Sequence, residues 1–140
     1  LWWTRRLPAA VELADGVFLG RAPRRSELST YVAVIDMAAE LPGLSAAGLA
    51  WRAFPSTDLL PVETGRIRDA VRAVEEAAQR GPVLICCALG FQRSASVAAC
   101  WLVRTGLAAN AAIAVAQIKA AGRPVHLAPD TYAAVDEAAR

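Results

Sequence analysis

Apolar residues in this chain gather in short runs that alternate with stretches of helical spacing. Val11-Glu12-Leu13 and Val17-Phe18-Leu19 flank Asp15-Gly16, a dipeptide suited to a tight hairpin turn, and so predict two paired strands. Tyr31 to Asp36 is a β-branched apolar run and reads as a buried strand. Leu44 to Leu49 reads as a short helix, and Ala50 to Phe54 as a strand ending at Pro55. Thr64 is expected to cap a helix running through Arg80, because Ile67, Ala70, Val71, Val74 and Ala78 recur at helical spacing and Gly81 stops it. Val83 to Cys86 is continuously apolar, the pattern of a central parallel strand covered on both faces. Helical stretches follow from Ser94 to Thr105 before Gly106, from the capping Asn110 to Ala121 before Gly122, and from Pro129 to Ala139.

This alternation predicts one α/β domain with a central mixed, mostly parallel sheet of about five strands flanked by helices. Its 140 residues, 56% of them hydrophobic, suffice for a real core. No repeat or low-complexity linker divides it. The net charge of +2 is too small to argue for a nucleic-acid partner. Three cysteines, two of them adjacent, do not form the pattern of a secreted disulfide framework, so a reducing, cytoplasmic setting is expected. No apolar stretch is long enough to span a bilayer.

Residues 1–10 read as a tail and 11–140 as the folded domain, expected to be monomeric when isolated. In the tail, Trp2, Trp3, Arg5 and Arg6 precede Pro8. Indoles beside arginines suit the cytoplasmic side of a preceding membrane segment. A tail packing its indoles on the domain fits equally well.

The chemistry concentrates after the apolar run, in Cys87-Ala88-Leu89-Gly90-Phe91-Gln92-Arg93-Ser94. The start of a helix supplies a positive dipole end and unpaired N–H groups, which favour a thiolate and bind a phosphate dianion. With Arg93 six residues after Cys87, the intervening residues 88–92 can wrap into a bowl whose amides converge, and Gly90 supplies freedom for the turn. Arg93 can place its fork on two phosphoryl oxygens, and Ser94 can offer its hydroxyl to the sulfur. The arrangement calls for no metal and no cofactor.

A cysteine ending a buried strand, with Gly three residues on, Arg six residues on, Ser next and a helix beginning there, resembles the cysteine-based protein tyrosine and dual-specificity phosphatases. Their signature is Cys-x5-Arg-Ser/Thr, and the likeness covers about residues 11–138. Bacterial proteins that join a lipid-phosphatase-like membrane domain to such a phosphatase domain are similar, including a Cys-Cys-Ala-Leu-Gly loop. The resemblance implies hydrolysis of phosphate monoesters through a phosphocysteine, on phosphotyrosine- or phosphoserine-like or phospholipid substrates. It also implies a membrane domain upstream of residue 1. Cys87, Arg93 and Ser94 would be catalytic, and Ala88, Leu89, Gly90, Phe91, Gln92 and Arg93 would line the substrate.

Expelling an alkoxide or phenoxide also needs a carboxylic acid. Asp58, in Phe54-Pro55-Ser56-Thr57-Asp58-Leu59-Leu60-Pro61, occupies the Pro-bounded loop where the family carries its acid; an Asx turn or helix cap is the structural alternative. Asp36, at the end of another strand, is the runner-up. The chain departs from the family at Cys86, where a His precedes the nucleophile in its members. Cys86 is expected to point away from the nucleophile into the core, with capture of an oxidised Cys87 by Cys86 or Cys100 as the other reading. His126 reads as a structural or surface residue. Arg123 resembles a family arginine that braces the loop side, with simple surface charge the alternative. The loop carries no Lys, which disfavours a highly charged head group, and Arg21, Arg24 and Arg25 form the best additional basic patch. Beside the enzyme stand a phosphate-binding module with little or no turnover and, less favoured, a sulfur- or arsenate-handling thiol enzyme.

Overall fold

A computed structural model describes residues 7–38, 43–56, 62–88 and 91–140. Strands β1 (Ala10–Ala14) and β2 (Val17–Arg21) form the antiparallel hairpin. Asp15 and Gly16 both take left-handed backbone angles, φ 49° and 79°, which let a two-residue turn follow the twist of the strands. The Glu12 carboxylate accepts the Gly16 N–H at 3.0 Å and closes the turn.

Strands β3 (Ala33–Ala38), β4 (Ala50–Ser56) and β5 (Val83–Cys87) complete a sheet of order β1-β2-β5-β3-β4, in which every pairing after the hairpin is parallel. Five consecutive β-branched, aliphatic or thiol side chains on β5 are all buried, as a central strand with two covered faces requires. On one face, Val83, Ile85 and Cys87 join a large core to which α1 (Thr64–Ala78), α2 (Arg93–Arg104), α3 (Ala111–Ala120) and α4 (Pro129–Ala138) all contribute. On the other, Leu84 and Cys86 meet Val34 and Leu28 in a smaller core flanked by Phe18, Tyr31, Leu44, Leu49 and Trp51.

Several local expectations are corrected. Residues 44–49 hold no helix: Gly48 takes φ 77°, Leu49 N–H donates to the Ala46 carbonyl at 3.2 Å, and Leu44 and Leu49 lie against the smaller core. The apolar ends of this segment seat it as an irregular cover, and the glycine breaks it. Thr64 is the first residue inside α1, with Glu63 as the cap and no side-chain bond made there. Strand β3 starts at Ala33 because Tyr31 instead ends a 3-10 helix, Arg25–Thr30, that the periodicity did not announce. Tyr31 meets the Phe18 ring edge-on, with centroids 5.5 Å apart. Asn110 does cap α3, its Oδ1 accepting the Ile113 N–H at 3.0 Å. No helix among the described residues is long and apolar enough to cross a membrane.

Gly20 is required by close approach. A Cβ there would fall well inside contact distance of the Ala9 carbonyl oxygen and the Ala10 side chain. Gly20→Ala should therefore destabilise the domain by about 1–3 kcal/mol through overpacking between β1 and β2, read as a lower urea midpoint.

Burial also fixes the protonation of two thiols. Burial pushes Cys86 well above its ordinary value of 9.0, reinforced by Asp36 and Cys87. Cys100, on α2, is pushed from 9.0 to about 11, again chiefly by burial. A thiol held protonated in the fold but free to ionise in the unfolded chain stabilises the fold fully below the unfolded value, and that contribution is lost as pH rises to the folded value. Between pH 9 and 11 the native chain should thus lose stability more steeply than Cys100→Ala, in urea unfolding at a series of pH values. Parallel profiles would contradict the assignment.

Candidate active site

The parallel register aligns the carboxyl ends of β2, β5 and β3, and open α/β sheets bind ligands at that edge. Cys87 is the last residue of β5, and α2 begins at Arg93. The chain therefore leaves the strand and re-enters a helix within a handful of residues. Ser94, on the first turn of α2, sits with its Oγ 3.1 Å from the Cys87 Sγ. Both residues are buried.

Arg93 is only 2% exposed, which is unusual for a cation, and its Nη1 donates to the Ser56 carbonyl at 3.0 Å. That bond ties the start of α2 to the end of β4. Ser96 Oγ donates to the Arg93 carbonyl at 2.7 Å, and Ser96 N–H to the Gln92 carbonyl at 3.1 Å. The first turn of α2 is thus fastened by its own serine.

The half-buried residues between them are held from both sides. The Ala88 carbonyl accepts the Ala22 N–H at 3.3 Å, one rung beyond the β2–β5 ladder. The Phe91 carbonyl accepts the His126 N–H at 3.2 Å. Arg123, 2% exposed, lays its guanidinium 5.3 Å from the centre of the Phe91 ring and donates to the Pro8 carbonyl at 2.7 Å. Burial lowers the pKa of Arg123 from the ordinary arginine value; the Cys87 sulfur opposes that shift and Arg21 adds to it. Arg123 is therefore a buried cation near Cys87, not a surface charge. Nothing local in the sequence signals its ring contact, because Phe91 lies 32 residues away. Its contact through the Pro8 backbone leaves no residue signature either.

Of the residues expected to act, Cys87, Arg93, Ser94, Ala88, Phe91 and Gln92 come together in this place. Leu89, Gly90 and Asp58 lie outside the described residues, as do Trp2, Trp3, Arg5 and Arg6. Asp36 is occupied elsewhere. Its Oδ1 accepts the Ala38 N–H at 2.8 Å and its Oδ2 the Trp51 Nε1–H at 3.2 Å, on the sheet face that carries Cys86. His126 is exposed and contributes its backbone to the loop. Cys86 and Cys100 are buried free thiols. In the proposed basic patch, Arg21 is neutralised by a two-pronged contact with Glu27, at 3.0 and 3.2 Å. Burial alone would raise Glu27, but the Arg24 N–H and the Arg21 side chain hold it below the ordinary carboxylate value.

A buried thiol at a strand end, a serine hydroxyl on it, and a buried arginine opening the next helix make a site for an oxyanion beside a nucleophile. No protein-family model and no curated protein matches the chain. Solved structures do. Human DUSP28 is 25% identical with TM-score 0.80, covering 94% of this chain and 93% of that one. Tk-PTP in its active form is 21% identical with TM-score 0.80, covering 94% and 97%. PTPMT1 in complex with PI(5)P is 17% identical with TM-score 0.81, covering 94% and 95%. The five-stranded mixed sheet and its flanking helices thus form the fold of the cysteine-based dual-specificity and protein tyrosine phosphatases.

Proposed function

We propose that this domain hydrolyses phosphate monoesters through a phosphocysteine, on phosphotyrosine- or phosphoserine-like or phospholipid substrates. The observation that carries this reading is the 3.1 Å contact between Cys87 Sγ and Ser94 Oγ at the mouth of α2, with Arg93 buried beside it. The likeness in fold to tyrosine and dual-specificity phosphatases supports the same class of reaction.

In the first step the Cys87 thiolate attacks phosphorus in line. The sulfur–phosphorus bond forms as the phosphorus–oxygen ester bond breaks, and the departing oxygen takes a proton from Asp58. Arg93 and the backbone N–H groups of residues 88–93 carry the negative charge of the equatorial oxygens. In the second step water attacks phosphorus, giving its proton to the Asp58 carboxylate. The sulfur leaves as a thiolate that the Ser94 hydroxyl receives, and inorganic phosphate departs. The support for Asp58 is positional. It lies two residues after Ser56, whose carbonyl holds the Arg93 guanidinium.

A second reading, phosphate binding with little turnover, draws on Cys86. Held neutral by burial, it brings no positive charge to the strand beneath the nucleophile, where the resembling enzymes carry a histidine.

Turnover of phenyl phosphate separates these readings. Cys87→Ser should lower kcat by about a thousandfold or more; equal rates in the native chain and Cys87→Ser would falsify the enzyme reading. Absent native turnover with retained vanadate binding selects the binding module. Asp58→Ala should cost roughly a hundredfold with phenyl phosphate and less with p-nitrophenyl phosphate, whose leaving group needs no proton. It should also lose the fall in rate at high pH that marks a required protonated acid. An unchanged pH profile sinks Asp58 as the acid.

A further inference from the structure

The ladder between β2 and β5 pairs Arg21 with Cys87 and continues through the bond from Ala22 N–H to the Ala88 carbonyl. The chain that follows, Pro23-Arg24-Arg25, must leave the sheet beside the mouth of the site. Arg24 is two residues past that rung, within about 7 Å of chain from Ala22, which lies about 5 Å across the ladder from Ala88. An arginine side chain spans about 7 Å more. An extended Arg24 is therefore long enough to reach back toward the mouth of the site.

Charge accounting around the segment is lopsided. Both oxygens of Glu27 are taken by the Arg21 fork, and one also accepts the Arg24 N–H at 2.7 Å. Arg24 and Arg25 are exposed and have no ion-pair partner among the described residues. The Arg25 guanidinium is steadied by the Ser45 carbonyl at 3.2 Å, which sets its direction without cancelling its charge. The loop itself contributes no lysine. Beyond the buried Arg93 and Arg123, the exposed positive charge that could meet a second anionic group is therefore that of Arg24 and Arg25.

The same segment argues against a bilayer as the source of that group. Its other exposed residues, Ser26, Ser29 and Thr30, are hydroxylic, and nothing apolar is offered for insertion among lipid chains. The exposed large apolar residues, Leu107 and Ile113, belong to the α2–α3 connection and α3.

Resting on the phosphatase reading of the site, we propose that Arg24 and Arg25 are specificity residues that select phosphopeptides carrying acidic side chains next to the phosphorylated residue. The phosphate enters the bowl, and a neighbouring Asp or Glu carboxylate pairs with the two guanidinium groups at the rim. Recognition of this kind is exposed to solvent, so it adds modestly to binding, falls with salt and acts on KM more than on kcat.

The test compares two phosphotyrosyl peptides that differ only in flanking Asp and Glu against Asn and Gln, by the ratio of their kcat/KM values within each protein. The native chain should favour the acidic peptide by about fivefold at low salt. Arg24→Gln with Arg25→Gln should bring the ratio to about one, Arg24→Glu with Arg25→Glu should invert it, and Lys at both positions should restore most of it. Arg80→Gln, at the far end of α1, should leave the ratio unchanged. No acidic preference in the native chain, or the same preference after both arginines are removed, overturns the proposal. So does a preference for anionic phospholipid micelles that depends on the two arginines while the peptides are not discriminated. Turnover of phenyl phosphate reports separately on the phosphatase reading. If turnover is absent, the same ratio taken from Kd values of the two peptides decides the proposal.

Discussion

The site depends on β5 having no free edge and no wet face. Strands β2 and β3 take its backbone groups on either side, so its conformation is fixed to the last residue, and its side chains alternate strictly between two cores. That alternation sends Cys86 one way and Cys87 the other. Cys87 therefore arrives on the helical face, at the end where α2 begins, and Ser94 can reach its sulfur. A slip of one residue would exchange the two thiols and put Cys87 against Leu28 and Val34.

A second constraint is the burial of cations. Arg93 and Arg123 are each 2% exposed, and neither would be left there without compensating contacts. Each spends part of its hydrogen-bonding capacity on backbone carbonyls from elsewhere in the chain: Ser56 for Arg93 and Pro8 for Arg123. Backbone carbonyls satisfy a guanidinium without supplying a full negative charge. Those bonds fix where the two guanidinium groups sit relative to Cys87 and Phe91. Arg21 shows the opposite treatment, since Glu27 neutralises it at the edge of the same region.

The hairpin, the central strand and the helix that follows the loop were legible because each rests on a local signal. Asp15-Gly16 selects its turn, a continuous apolar run marks β5, and Gly106 marks the end of the helix that opens at Arg93. The short elements were not legible. Residues 44–49 carry helix-compatible residues but are shaped by Gly48 and by seating Leu44 and Leu49 on the smaller core, a tertiary demand that overrides propensity. The 3-10 helix at 25–30 has one buried apolar residue, Leu28, too few to set a period. For Arg123, a brace on the loop side was one of the two readings the sequence offered, but its partners were not legible. Its partners, Phe91 and the Pro8 carbonyl, are 32 and 115 residues away.

The setting of Cys86 follows from the sheet register. In the parallel register Cys86 stands beside Asp36, and that carboxylate already accepts the Ala38 N–H and the Trp51 indole. Burial among apolar neighbours with this carboxylate adjacent favours the protonated thiol. Cys86 thus behaves as a small neutral hydrophobe, and its influence on Cys87 passes through the shared peptide unit instead of through a charge. Ser94 and Arg93, by contrast, belong to α2, which packs on the opposite face of the sheet with Cys87, so the side chain at position 86 and these two groups lie on different sides of β5.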